Sequence, residues 1–173
     1  VIDVGARIPS YNCINANAQA LARYAAICQA GGIVPMVEPE VLMDGDHDID
    51  TCFEVTKWVL KETFQELYYA NVKLEGIVLK PNMAVPGKKS AKKASVAEVA
   101  EKTVRMLKNC VPGAVPGIAF LSGGQSDEEA TAHLDAMNKI GNLPWKLTFS
   151  YGRALQAAPQ KAWSGKTENV AAA

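Results

Sequence analysis

The sequence lacks an excess of either charge. Eighteen Lys and Arg balance eighteen Asp and Glu, so no global field draws the chain toward nucleic acid or an anionic membrane. It lacks any apolar run long enough for a spanning helix. The N-terminus, Val-Ile-Asp-Val, has no initiator methionine and no basic stretch leading into an apolar one. No secretory signal peptide is expected, and the chain is expected to begin partway through a longer protein. Histidine is scarce: only His47 and His133 accompany Cys13, Cys28, Cys52 and Cys110. The cysteines form no C-x-x-C pair, which makes a poor zinc set and a sparse disulfide framework. Free thiols in a reducing cytosol are the expectation.

What is present suits a globular domain. Apolar residues make up 49% of the 173 and charged residues 21%. That is enough to bury a core, and one domain over residues 1–173 is expected. Residues 1–12 are weakly patterned. Asn15 to Ala30 is alanine-rich and free of Gly and Pro, which predicts a helix stopped by Gly31-Gly32. Ile33–Val37 reads as a short buried strand with Pro35 inside it. A turn through Asp44–Asp50 leads to a helix over roughly 48–70, where Phe53, Val59, Leu60, Phe64 and Leu67 recur at helical spacing. Leu74–Leu79 reads as a second strand. A lysine-bearing loop and a helix near 95–109 follow. Gly117–Leu121 is a third strand. Ser126 and Glu129 form a capping box that opens a helix to about Ile140. Trp145–Phe149 is a fourth strand, and a helical segment near 154–163 follows it.

Four strands alternating with helices predict an α/β fold with a parallel sheet. The strand ends fall at Glu38, Lys80, Ser122 and Arg153. In a parallel sheet or barrel all four emerge at one end, the end where ligands bind. Each has a plain alternative. Lys80 closes an apolar run: a buried amine loses its charge and becomes a nucleophile toward carbonyls, or it ends a strand and reaches for water. Ser122-Gly-Gly124 offers backbone amides to a phosphate, or is a tight turn. Arg153 offers a planar fork to the same anion, or is a surface charge. Glu38 and Glu40 flank Pro39, as an acid–base pair for carbonyl chemistry or as an acidic loop.

Two further signals point elsewhere and fail. Asp44, Asp46 and Asp48 mimic the start of a calcium loop, but Ile49 and Val55 stand where glycine and glutamate are needed. They read as turn and helix-cap residues. Lys88, Lys89, Lys92 and Lys93 have no aromatic partners and read as a solvated loop, not a nucleic-acid groove.

The motifs together resemble the class I fructose-bisphosphate aldolases. The residues that carry the resemblance are Val37-Glu-Pro-Glu40 with Asp44-Gly-Asp-His-Asp48, and Leu74-Glu-Gly-Ile-Val-Leu-Lys-Pro-Asn-Met83. Phe120-Leu-Ser-Gly-Gly-Gln-Ser126, Thr148-Phe-Ser-Tyr-Gly-Arg-Ala-Leu155, Lys161-Ala-Trp163 and Glu168-Asn169 complete it. The resemblance implies a TIM barrel, (β/α)8, of which this chain covers about the last four βα units. It implies Lys80 as Schiff-base lysine, Glu38 as the proton-shuttling carboxylate and Glu40 as an acidic neighbour. Ser122, Gly123, Gly152 and Arg153 would hold a substrate phosphate. The implied reaction is reversible cleavage of fructose 1,6-bisphosphate to dihydroxyacetone phosphate and glyceraldehyde 3-phosphate. It implies no metal and no cofactor, a phosphosugar as small-molecule partner, no nucleic acid or membrane, a cytoplasmic location and a homotetramer.

The chain departs from that family in length. A full barrel needs about 250 residues, and only four strands are predicted. The family's N-terminal strands, with an aspartate and further lysines of the site, and its C-terminal tail with a mobile tyrosine have no counterpart here. A non-catalytic, truncated module that binds a phosphosugar or a protein partner is the rival expectation. So is a Schiff-base aldolase of the same fold acting on another phosphosugar.

Overall fold

A computed structural model describes residues 1–173. Helix α1 spans Tyr11–Ala30 and starts four residues before the sequence pattern, because Ser10 caps it by accepting the Cys13 N–H at 3.2 Å. Its buried stripe is Ile14, Ala18, Ala22 and Ala25. Such small side chains let a neighbouring helix approach closely. That neighbour is α2, Ile49–Tyr69, which buries Phe53, Leu60, Phe64 and Leu67 on one face. Asp48 caps α2, accepting the Thr51 N–H at 3.0 Å. The aspartate loop therefore does the capping expected of it.

Four strands follow the predicted order: β1 Met36–Val37, β2 Val78–Leu79, β3 Gly117–Phe120 and β4 Lys146–Phe149. They pair in parallel in the order β1-β2-β3-β4. The register sets Val37 beside Leu79, Leu79 beside Ile118, and Phe120 beside Phe149. The connecting helices are α2, α3 (Val96–Cys110) and α4 (Asp127–Ile140), with α5 (Gly152–Trp163) after β4. The sheet has open edges at both sides. On β4, Lys146, Thr148 and Phe149 are exposed, so this strand departs from the doubly buried pattern that holds for β3.

The first two strands are shorter than their apolar runs. Proline has no N–H to give a ladder, and Pro35 contributes only its carbonyl, which accepts the Val78 N–H at 3.0 Å. Leu74–Gly76 is a 3-10 turn instead of strand. Gln29 of α1 fixes that turn: it accepts the Lys73 N–H at 3.0 Å and donates to the Lys73 carbonyl at 2.8 Å. This long-range contact overrides the local strand preference.

The main core joins the strand residues Val37, Leu79, Ile118 and Phe120, with Ile77 just before β2, to α2, α3 and α4. A smaller cluster of Ile2, Ile14, Val41 and Val59 lies beside it. Residues 1–12, weakly patterned in sequence, are tied down there. Ile2 donates to the Glu40 carbonyl at 2.8 Å and accepts from Leu42 at 2.9 Å. No helix is long and apolar enough to cross a membrane.

Two imidazoles are buried, His47 and His133. Neither ring nitrogen of His47 has a hydrogen-bond partner. Burial pushes both histidines below the ordinary value of 6.5, against the opposing pull of Asp46 and Asp48 on one and Glu129 on the other. The unfolded chain then binds protons that the folded chain refuses, so stability falls as the pH drops below about 6.5. We expect the melting temperature to decline between pH 7 and pH 5, and His47→Leu to flatten that decline. An unchanged slope in the variant would remove His47 from this account.

Candidate active site

The parallel register gathers the four strand ends. Backbone bonds run across them in sequence. The Lys80 N–H donates to the Val37 carbonyl at 2.7 Å, Leu121 to Pro81 at 3.2 Å, and Ser150 to Phe120 at 2.8 Å. Each functional segment thus leaves the sheet from a fixed point beside the next.

At the first two ends, Lys80 Nζ lies 3.0 Å from Glu38 Oε1. The lysine side chain is 17% exposed and the glutamate 41%. The amine is therefore mostly but not wholly withdrawn from water, between the two readings open for a lysine that ends an apolar strand. It sits at the mouth of the sheet with a carboxylate partner in hydrogen-bond reach, a geometry suited to passing protons. Glu40 is not brought to the amine: it forms no ion pair. It lines a cleft of about 190 Å³ together with Glu38, Val1 and Asn17.

Ser122 is buried. Its carbonyl accepts the Gln125 N–H at 3.0 Å and the Gln125 side-chain amide, also at 3.0 Å. Gln125 Oε1 is 2.6 Å from His133 Nδ1 on α4. Gly123 and Gly124 take φ of +60° and +89°, the region open to glycine at no steric cost. The turn is therefore specified by its glycines and braced from behind by Gln125 and His133. Sequence reasoning missed this brace, although Gln125 directly follows the glycines.

The helices after the third and fourth strands differ at their N-termini. Helix α4 carries the capping box, with Ser126 Oγ accepting from Glu129 at 3.1 Å and Glu129 Oε2 accepting from Ser126 at 3.2 Å. Asp127, Glu128 and Glu129 fill its first turn, so that end repels an anion. Helix α5 begins at Gly152 with no side-chain cap and no acidic residue in its first turn. Its positive dipole end stays open to an anion, and Arg153 stands in that same turn, exposed. Tyr151, just before it, anchors the helix: its hydroxyl donates to the Ala130 carbonyl at 2.9 Å, and burial pushes its pKa up to about 12.

The aspartate loop and the lysine loop face each other. Lys88 Nζ lies 2.9 Å from Asp44 Oδ1 and Lys92 Nζ 3.9 Å from Asp48 Oδ2. The two backbones touch so closely that a Cβ on Gly87 would fall 2.2 Å from the Gly45 carbonyl oxygen. Asp44 is held below the ordinary carboxylate range by Lys88 first, with smaller help from Arg153 and Lys89. Arg153 is therefore close enough to feel this pair. No three His, Cys, Asp or Glu side chains converge as metal ligands.

Comparison with known proteins bears on these residues. The family model for class-I fructose-bisphosphate aldolase matches residues 1–173. A probable fructose-bisphosphate aldolase class 1 of Xanthomonas campestris pv. campestris is 62% identical over 164 residues, which is 95% of this chain and 49% of that protein. Cytosolic fructose-bisphosphate aldolase 5 of Arabidopsis thaliana is 58% identical over 174 residues, 100% of this chain and 48% of that protein. Among solved structures, fructose-bisphosphate aldolase of Plasmodium falciparum, crystallised with TRAP and a small-molecule inhibitor, superposes with a TM-score of 0.95. It is 48% identical and covers 99% of this chain, which corresponds to 50% of that one. The chain spans about half the length of the curated relatives it matches.

Lys88→Ala should raise the titration midpoint of Asp44 toward the ordinary value, because its largest stabilising partner is gone. Carboxyl NMR titration reads this directly. An unchanged midpoint would mean that the two loops are not paired in solution.

Proposed function

This chain belongs to the class-I fructose-bisphosphate aldolase family, and from that premise we propose that it carries the Schiff-base portion of an aldolase site. The proposed reaction is reversible cleavage of fructose 1,6-bisphosphate to dihydroxyacetone phosphate and glyceraldehyde 3-phosphate, a lyase step of glycolysis and gluconeogenesis. The observation that carries the reading is the Lys80–Glu38 pair at 3.0 Å on adjacent strand ends.

Lys80 is proposed as the nucleophile. Passing its ammonium proton to Glu38 frees the amine, which adds to the substrate ketone carbon, forming a C–N bond as a proton moves from the nitrogen to the carbonyl oxygen. Glu38 then donates a proton to the departing hydroxyl, water leaves, and an iminium remains. When the C3–C4 bond, one carbon beyond the iminium carbon, breaks, its electron pair moves into the iminium, giving an enamine; the C4 hydroxyl passes its proton to Glu38, left ionised by the dehydration, as the aldehyde departs. The iminium is the electron sink, so this scheme asks nothing of a metal. Glu40 is proposed as an acidic neighbour acting through the loop it shares with Glu38.

Ser122 and Gly123, on the braced turn, and Gly152 and Arg153, at the open end of α5, are proposed to hold a phosphate. The contrast between the acidic first turn of α4 and the bare first turn of α5 supports α5 as the helix that meets the anion. A cytoplasmic location is proposed from the cytosolic relatives, and a homotetramer from the family resemblance.

In the intact protein, borohydride with dihydroxyacetone phosphate should fix a stable adduct on Lys80, and Lys80→Ala should abolish cleavage. Labelling of another lysine, or of none, would overturn the assignment. Arg153→Ala should cost about 1.5–3 kcal/mol of phosphate binding, read as roughly a 10- to 100-fold rise in KM with a smaller change in kcat. Higher turnover of fructose 1-phosphate than of the 1,6-bisphosphate would favour a different phosphosugar as substrate.

A further inference from the structure

The Lys80–Glu38 pair needs something to hold its two loops in register, and the β1–β2 ladder does not reach that far. The ladder between β1 and β2 gives its last bond at Lys80 N–H to the Val37 carbonyl. Beyond that point stands Pro39, which faces β2 but has no N–H to return to it, so the ladder stops there. Glu38 lies in that interval with its side chain half in solvent, on a backbone that the sheet no longer guides.

Asn82 takes over where the ladder stops. Its side chain is buried, with the residue 3% exposed. Its Oδ1 accepts the Val41 N–H at 2.9 Å, reaching across to the far end of the Glu38-Pro39-Glu40 segment. Its Nδ2 donates to Thr56 Oγ1 of α2 at 3.0 Å and to the Met83 carbonyl at 3.1 Å. The Val41 N–H needs an acceptor, which fixes the orientation of the amide. Ile2 brackets the same segment from the other side, bonding to Glu40 and Leu42. One amide thereby ties the loop bearing Glu38, the loop bearing Lys80 and the face of α2 into a single buried unit.

We propose that Asn82 is a positioning residue that sets the Glu38 carboxylate against the Lys80 amine. It touches neither group, and it acts by fixing both backbones. This rests on the roles given above to Lys80 and Glu38. Loss of the amide lets the Glu38 segment shift. A shift of about 1 Å in a reacting group can cost roughly 100-fold in rate, while the phosphate-holding residues beyond the ends of β3 and β4 stay in place.

The test compares Asn82→Ala, Thr56→Val and Glu38→Gln in the intact protein by two measurements. One is the single-turnover rate of borohydride trapping with dihydroxyacetone phosphate. The other is affinity for a hexitol 1,6-bisphosphate, which has the phosphates but no carbonyl. Asn82→Ala should slow trapping by roughly 10- to 100-fold and leave hexitol bisphosphate affinity within about twofold. Thr56→Val, which removes one partner of the amide and keeps the side-chain shape, should slow trapping less. Added to Glu38→Gln, Asn82→Ala should cause little further loss, because two changes acting through one group are not additive. A trapping rate unchanged in Asn82→Ala, or a full additive loss on top of Glu38→Gln, would overturn the proposal while leaving the aldolase reading intact. If Asn82→Ala does not fold, an unchanged trapping rate in Thr56→Val overturns it equally. Failure of the unsubstituted protein to trap at Lys80 would defeat the reading of the site itself, and this proposal with it.

Discussion

Parallel pairing in a nearly even register is the constraint on which the site depends. It makes the C-terminal ends of four separate strands neighbours, although the residues they carry are far apart in sequence. The bonds from Lys80 to Val37, Leu121 to Pro81 and Ser150 to Phe120 extend that order past the strands themselves. The apolar side chains of Val37, Leu79, Ile118 and Phe120, buried against α2, α3 and α4, enforce the register. A one-residue slip would send each to the wrong face.

Above this frame the polar groups divide the work. The first two strand ends bring an amine and a carboxylate together, and buried amides secure the loops around them. The last two strand ends carry a glycine turn and a helix start. There the distribution of charge separates the helices: acidic residues close the start of α4, and the start of α5 is left uncapped beside Arg153. In the proposed reading, chemistry and anion binding fall on different pairs of strands. On that reading, a change at the first pair should alter the rate of carbonyl chemistry while sparing the grip on phosphate.

Much of this was legible in the sequence because it follows from short-range rules. Alanine content marked the first helix and periodicity the second, the Asp44–Asp50 turn and the Ser126–Glu129 capping box marked the starts of α2 and α4, and the alternation of strand and helix gave the parallel sheet. The strand-end logic brought Lys80, Glu38, Ser122 and Arg153 to one end. What escaped notice depends on contacts across the fold. Leu74–Gly76 reads as strand until Gln29 of α1 captures its backbone. The first turn of α1, Tyr11 to Ile14, is an exception: its Ser10 cap is a local contact that sequence reasoning passed over. Asn82 is one polar residue in an apolar stretch, and only the three-dimensional approach of Val41 and Thr56 gives its amide partners. Gln125 and His133 lie on separate elements whose meeting no local pattern foretells. The Lys80 amine meets the Glu38 carboxylate at the sheet mouth, in line with the proton-transfer partnership read from the strand ends.

The central claim is that Lys80 forms the covalent link to substrate with Glu38 at hand and the phosphate held by the other strand ends. A crystal structure of the intact protein soaked with dihydroxyacetone phosphate tests it most directly. The account predicts continuous density from Lys80 Nζ to the substrate's carbonyl carbon, Glu38 within hydrogen-bond reach of that carbon's departing oxygen or its water, and the phosphate against Ser122, Gly152 and Arg153. A phosphosugar bound in the same cleft with Lys80 Nζ free, or a covalent bond to a different lysine, would contradict it.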